Sequence, residues 1–212
     1  MANHEILYSY QDLVESLEQS QRYGFLSPQP IENQIKHSIE FLSLLPKNIS
    51  RALDLGSGGG LPSLVWLHLD QDINIVALDA MTKRTDFLIE VANNHKGLSN
   101  RLQVVNGRAE VLSHDSNYRE MFDAVVARGF GSPAITAECG SGYLKTGGHL
   151  FVSGRPEDEI ARWNVELLER LGLEFEEVME QGHAHVAKMI KTEILSSIFP
   201  RNSKALKKQP LW

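Results

Sequence analysis

A run of glycines set between two apolar strands constrains this chain more than any other feature. Residues Asp54 to Gly60 read Asp-Leu-Gly-Ser-Gly-Gly-Gly, directly after Arg51-Ala52-Leu53. A second strand-like run, Asn74-Ile75-Val76-Ala77-Leu78, closes on Asp79. A strand, a glycine turn, a helix and then an acid ending the next strand is how α/β folds grip an adenosine-type ligand. Glycines let the backbone approach a ligand without a Cβ in the way, and the acid can accept both ribose hydroxyls. A merely flexible turn would need neither the strand before it nor the acid after it.

The same residues discriminate between nucleoside ligands. A dinucleotide fingerprint wants Gly-x-Gly-x-x-Gly, and Leu61 occupies its last position. Asp54, two residues before Gly56, would repel a pyrophosphate but favours the ammonium and sulfonium of S-adenosylmethionine. Asp54, Gly56, Gly58 and Gly60, with Asp79 closing the second strand, therefore resemble the Rossmann-like S-adenosylmethionine-dependent methyltransferases.

At 212 residues the chain suits one domain with a real core. Its 42% hydrophobic and 23% charged content is that of a globular protein. No run approaches the roughly 18 apolar residues of a membrane span. The start, Met1-Ala2-Asn3-His4-Glu5, lacks the basic and apolar regions of a secretory signal. Cys139 is the single cysteine, which excludes an internal disulfide and fits a reducing cytoplasm. A net charge of −6 argues against coating nucleic acid by bulk electrostatics, though not against a local basic patch.

Periodicity predicts a first helix from Ser9 to Tyr23, with Leu13, Val14 and Leu17 on one face and Gly24 near its end. Ile35, Ile39, Leu42 and Leu45 mark the face of a second helix ending before Pro46. These two helices, residues 1–46, are expected to cap the sheet, being too few to bury a core alone. Strands are predicted at 51–55, 74–79, 101–106, 122–127 and 148–153, with helices at 61–69, 82–95, 132–145 and 157–171. Ser132-Pro133 starts the third of these helices, and Gly172 closes the last, which carries Ile160, Trp163, Leu167 and Leu171. Alternation of this kind predicts a parallel sheet with helices on both faces. Leu173 to Met179 and His185 to Thr192 are joined by too short a link for a crossover, so they must pair antiparallel. The expected fold is α/β, Rossmann-like: a mostly parallel seven-stranded sheet with an antiparallel C-terminal strand, the class I methyltransferase arrangement. The core domain is set at 47–195 and a basic C-terminal tail at 196–212, all in one compact unit.

Several segments together are similar to the glucose-inhibited division protein B (RsmG) family, guanine-N7 methyltransferases of small-subunit (16S) ribosomal RNA. They are Ile35-Lys36-His37, Asp54 through Leu61-Pro62, Leu78-Asp79-Ala80-Met81-Thr82-Lys83-Arg84, Gly107-Arg108-Ala109-Glu110, and Val125-Val126-Ala127-Arg128-Gly129-Phe130. The ending Phe199-Pro200-Arg201 to Lys207-Lys208-Gln209-Pro210-Leu211 resembles the basic C-terminus of many members. The resemblance implies S-adenosylmethionine contacts at Gly56, Leu61, Ala109, Glu110 and Arg128, with Asp79 on the ribose, and small-subunit ribosomal RNA as partner. The chain departs from the family pattern at Gln21 to Leu26, where members usually carry Trp-Asn and Asn-Leu-Thr stretches, and at Gly59, where Pro or Ala is usual.

Guanine N7 has a lone pair and no proton to lose, so transfer to it needs no general base and can rest on attack geometry. That suits a sequence without an evident catalytic dyad. Transfer to an exocyclic amine would favour an Asn/Asp-Pro-Pro-Tyr/Phe stretch where Arg128-Gly129-Phe130-Gly131 stands. Transfer to a pyrimidine carbon needs a cysteine nucleophile, whereas Cys139 sits mid-helix and reads as packing. Arg128, ending the fourth strand, is the catalytic candidate, suited to orient the cofactor carboxylate or the acceptor base; a surface salt bridge is the alternative. Lys83 and Arg84 suit RNA phosphates or a solvated helix start, and His37 suits substrate contact or packing. Arg201, Lys204, Lys207 and Lys208 suit phosphate contact or a solubilising tail. Lying beyond the last strand, that tail is expected to sit outside the nucleotide loops. His183 and His185 alternate on a strand without a third ligand at metal spacing, so no metal is expected. A monomer is favoured, with no membrane contact. The competing readings are a relative that methylates another RNA or a small molecule, and a non-catalytic nucleoside-binding, ribosome-associated module.

Overall fold

A computed structural model describes residues 8–154 and 160–212. Strands β1 (Arg51–Leu55), β2 (Asn74–Asp79), β3 (Leu102–Asn106), β4 (Phe122–Ala127), β5 (Leu144–Ser153), β6 (Leu173–Gln181) and β7 (Ala184–Lys191) form one sheet in the order β3-β2-β1-β4-β5-β7-β6. β1 to β5 run parallel, while β7 lies antiparallel between β5 and β6. Both the parallel core and the antiparallel ending agree with the sequence expectation.

Alternation along the strands divides the core. Ala52, Ile75, Ala77, Ala124 and Val126 face one layer, built from α1 (Tyr10–Arg22), α2 (Ile31–Ser43), α3 (Ser63–Leu69) and α4 (Thr82–Asn94). Leu53, Leu55, Val76, Leu78 and Val125 face the other, which holds α7 (Pro133–Ser141), α8 (Val165–Glu169) and the C-terminal helix α9 (Ser203–Lys208). The short helices α5 (Lys96–Ser99) and α6 (Ala109–Leu112) flank β3. Fully burying one such Leu is worth about 1.5–3 kcal/mol.

The two N-terminal helices share this core with the sheet. A capping box starts α1: the Asp12 amide donates to Ser9 Oγ at 3.2 Å and the Ser9 amide to Asp12 Oδ2 at 2.9 Å. The face expected for α2 is largely the one turned inward: Ile35 is buried, Leu42 packs against the core, and Leu45, just past the helix, is buried. Ile31, Ser38 and Phe41 complete that face, while Ile39 departs from expectation at 41% exposed. The face is centred on 31, 35, 38 and 41, which leaves Ile39 at its edge, and packing against the sheet decides where that edge falls.

Two predicted helices are cut short. The one expected to reach residue 145 stops at Ser141, because Leu144 pairs with Phe122 and begins β5. Of the helix expected at 157–171, residues 157–159 fall outside the described residues. Ile160–Arg162 form only a 3-10 turn, and α8 then starts afresh because Asn164 Oδ1 accepts from the Leu167 amide at 3.1 Å. Ile160 is 65% exposed, whereas Trp163 and Leu171 are buried.

Candidate functional site

The sheet order reverses between β1 and β4, and their diverging loops open a crevice at the C-terminal strand ends. β1 delivers the glycine turn there. The amides of Gly56 and Ser57 donate to the Leu78 carbonyl at 2.8 and 3.0 Å, fastening the turn to the end of β2. Asp79 fastens it again: the Gly58 amide donates to Oδ2 at 3.0 Å and the Met81 amide to Oδ1 at 2.8 Å. Arg84 Nη1 stands 3.5 Å from Oδ2. Gly56 has φ +78°, and a Cβ built on it would lie 2.7 Å from the Phe130 ring. Only glycine fits between that ring and the turn.

A cavity of about 320 Å³ opens beside Asp79, within the range of small-molecule sites. Gly56, Asp79 and Arg84 form one side, and Gly107 to Glu110 with Phe130 and Ile135 another. Arg108 Nε donates to Glu110 Oε1 at 3.0 Å, and Nη2 forms an ion pair with the same oxygen at 3.0 Å. Burial raises the Glu110 carboxyl, but Ser203, the residue's own amide and Arg108 outweigh this and hold it below the usual range. Cys139 also lines the cavity; it is buried, and burial pushes its thiol far up, so it offers no thiolate.

A second polar cluster lies under α2. Asp54 points with Ala52 to that side; its Oδ2 accepts from Ser63 Oγ at 2.5 Å, and its Oδ1 is buried without a partner. Burial pushes its carboxyl up to about 7, against the opposing pull of Ser63 and Arg128. Arg128 leaves β4 towards α2, where Nη1 donates to Ser38 Oγ at 2.8 Å. His37, next along α2, has a buried Nδ1 without a partner and is held below its ordinary value by burial and then by the Arg128 cation.

The expected site residues thus divide. Gly56, Asp79, Arg84, Ala109, Glu110 and Lys207 line the cavity, while Asp54, Arg128 and His37 lie in the cluster beneath α2. Gly58 is held by Asp79, and Gly60 and Leu61 turn inward against Leu64 and the core. Lys83 is exposed on the first turn of α4. His183 lies in the turn before β7, its amide donating to Glu40 Oε2 at 2.9 Å, so it does not share a strand face with His185. Among the described residues no three His, Cys, Asp or Glu side chains gather as a metal site.

The C-terminal segment departs most from expectation. Arg201 is committed to the buried Glu138, donating through Nε to Oε1 at 2.8 Å and through Nη2 to Oε2 at 2.7 Å. Far from lying outside the nucleotide loops, Ser203, Leu206 and Lys207 of α9 line the cavity. Lys204 and Lys208 are exposed. Sequence reasoning gave no cavity role to Arg108, Phe130, Ile135, Ser203 or Leu206. The first three sit in or beside motifs already singled out. Ser203 and Leu206 carried no signal, since Ser203 reaches Glu110 across 93 residues of chain.

The two departures from the family pattern meet in space. Ser20 Oγ donates to the Gly59 carbonyl at 2.9 Å, and a Cβ on Gly59 would press first on that Oγ and then on Leu26 Cδ2, 2.8 Å away. Ser20, just before the altered stretch, and Leu26 at its end thus occupy the room that a larger residue at position 59 would need.

Comparison with known proteins agrees with this arrangement. The GidB family, rRNA small subunit methyltransferase G, matches residues 3–182. A ribosomal RNA small subunit methyltransferase G from Caldanaerobacter subterraneus is 29% identical over 84% of this chain and 77% of its own length. One from Lachnoclostridium phytofermentans is 34% identical over 67% of this chain and 60% of its own. Among solved structures, a methyltransferase from Geobacter sulfurreducens superposes with a TM-score of 0.58 at 15% identity, covering 84% of this chain and 89% of that one. Fibrillarin from Aeropyrum pernix, solved with S-adenosyl-L-methionine, gives 0.54 at 19% identity over 73% and 72%. These two show a shared fold. The family match spans the N-terminal helices, the glycine turn and the Arg128 strand end alike, and the chain belongs to the GidB family, rRNA small subunit methyltransferase G.

Proposed function

We propose that this chain transfers the methyl group of S-adenosylmethionine to N7 of a guanine in small-subunit ribosomal RNA. Its family makes it an S-adenosylmethionine-dependent ribosomal RNA methyltransferase; the guanine position and the residue roles are our reading. The observation that carries it is the Asp79 carboxylate, set at the edge of a 320 Å³ cavity and beside a glycine turn that lets backbone meet the ligand.

The residues present fit that cofactor. Asp79 offers carboxylate oxygens to ribose hydroxyls, and Ala109 and Glu110 border the space for adenine. The unpartnered Oδ1 of Asp54 is a buried acceptor awaiting a cation. When bound, the cofactor supplies an electrophilic methyl group on its sulfonium. Arg128, held by Ser38, orients the cofactor's carboxylate or the acceptor base. His37, kept neutral at pH 7 by its lowered pKa, serves as a hydrogen-bond partner to the acceptor, and N7 needs no base. Lys83, Arg84, Lys204 and Lys208 suit RNA phosphates. We place this activity in the cytoplasm and in a monomer. Among the described residues no helix is long and apolar enough to cross a membrane.

One observation favours a second reading. The altered stretch Gln21 to Leu26 packs beside the glycine turn, as in a relative reshaped for another RNA or a small molecule. Nucleoside mass spectrometry separates the two. Small-subunit RNA lacking this modification, incubated with the purified chain and S-adenosylmethionine, should gain N7-methylguanosine. Cofactor binding without any RNA product would favour the second reading.

A further inference from the structure

The C-terminal helix meets the cavity with a single face. Ser203, Leu206 and Lys207 stand at i, i+3 and i+4, the spacing that puts side chains together on a helix. All three lysines of the helix are exposed, but Lys204 and Lys208 do not line the cavity whereas Lys207 does. The helix is held at both ends. Before it, Arg201 grips Glu138, which is 0% exposed, and the Pro200 carbonyl bonds His114 Nε2 at 2.9 Å. After it, Trp212 Nε1–H donates to the Arg162 carbonyl at 2.8 Å and its ring meets Trp163 edge-on. Asn202 Oδ1 caps the first turn, accepting from the Lys204 and Ala205 amides at 3.1 Å.

Within the cavity this helix touches one functional group directly: the Ser203 hydroxyl donates to Glu110 Oε1. Arg108 donates to the same oxygen. Two elements far apart in sequence therefore fix the direction of one carboxylate. A carboxylate so fixed can accept from an exocyclic amine, as adenine presents, and would face the carbonyl of hypoxanthine at a loss.

We propose that α9 is the adenine-side wall of the cofactor site, in which Ser203 positions Glu110 for the adenine and Leu206 and Lys207 close the cavity over it. The inference rests on the S-adenosylmethionine reading above. It makes the basic C-terminal segment a part of cofactor recognition as well as a candidate RNA contact.

The test is calorimetric titration of the full chain, Ser203→Ala, Lys207→Ala and a chain ending at Pro200, each with S-adenosylhomocysteine and with its deaminated hypoxanthine analogue. Ser203→Ala should weaken S-adenosylhomocysteine by about fivefold or more. It should also shrink the preference over the hypoxanthine analogue, with the ligand-free melting point nearly unchanged. Lys207→Ala should weaken both ligands alike, and the shortened chain should lose at least about tenfold in affinity. Ser203→Ala leaves every apolar contact of α9 in place, so it remains informative even if the shortened chain fails to fold. Wild-type affinity and wild-type discrimination in Ser203→Ala and Lys207→Ala would overturn the proposal alone. Failure of the unaltered chain to bind S-adenosylhomocysteine would overturn the cofactor reading and this proposal with it.

Discussion

The cavity beside Asp79 and the cluster beneath α2 grow from the same strand ends, yet their carboxylates are satisfied in opposite ways. Around the cavity, Asp79 accepts from two backbone amides and Glu110 from Ser203 and Arg108, and the one unpartnered buried atom among the charged lining residues described is Arg84 Nε, a donor rather than an acid. Beneath α2, Asp54 Oδ1 and His37 Nδ1 are buried without partners. Satisfied groups define a shape; unsatisfied ones store a demand for a ligand that brings its own charge. We propose from this contrast that the neutral adenosine half of the cofactor takes the cavity and its charged amino-acid half the cluster.

The largest effect should fall on the cluster. Arg128→Ala should lower turnover by about 10²–10³-fold, the usual loss when an oriented charge is removed from a reacting centre. Arg128→Lys should recover little, because an ammonium cannot reproduce a planar fork of donors. Near-normal steady-state rates in Arg128→Ala would reduce this residue to a structural link between β4 and α2. On the cavity side, Arg201→Ala strands the buried Glu138 carboxylate and should cost about 3 kcal/mol. For a chain of this size that is a fall of roughly 6–12 °C in Tm, readable by calorimetry, and a fall under about 2 °C would show that water reaches Glu138 freely.

Much of this arrangement was legible in the chain. The strands at 51–55, 74–79 and 122–127 are near-continuous apolar runs, so the parallel sheet and its crevice could be read from pattern alone. Asp79, Gly56 and Glu110 were legible because their chemistry sits in local motifs. The outward turn of Ile39 on α2 was not, since the helical period does not fix the edge of a face and tertiary packing decides it. Nor was the place of α9: a basic hexapeptide looks solvated until Leu206 and Ser203 are seen against the cavity. Long-range closure of this kind leaves no local trace in sequence.

Smaller effects probe how the N-terminal helices meet the glycine turn. Gly59→Ala should destabilise by about 1–3 kcal/mol through overpacking against Ser20 Oγ and Leu26. Adding Leu26→Ala should restore part of the loss, a coupling of roughly 0.5–3 kcal/mol in a denaturation double-mutant cycle. Strict additivity would mean that the turn relaxes without pressing on Leu26. The smallest effect is expected at Lys83. Its replacement by Ala should reduce the slope of log affinity for RNA against log salt by about one, if it neutralises a phosphate, and an unchanged slope would leave it a solvated helix start.

The division of the cofactor between two regions has a direct test in the pH dependence of binding. Neutral Asp54 contributes folding stability that is complete below the ordinary aspartate range and is lost as pH rises through about 7. A cationic ligand needs the opposite state, so binding must draw a proton from Asp54. Calorimetric affinities for S-adenosylmethionine and 5′-methylthioadenosine, which lacks the amino-acid end, should therefore diverge between about pH 5.5 and 7.5. S-adenosylmethionine should weaken by up to about tenfold per unit on the acid side, with proton release on binding, and Asp54→Asn should abolish the slope. Methylthioadenosine should bind with no such dependence. Identical pH profiles for the two ligands, or a slope that survives Asp54→Asn, would contradict the assignment of the charged half to the cluster beneath α2.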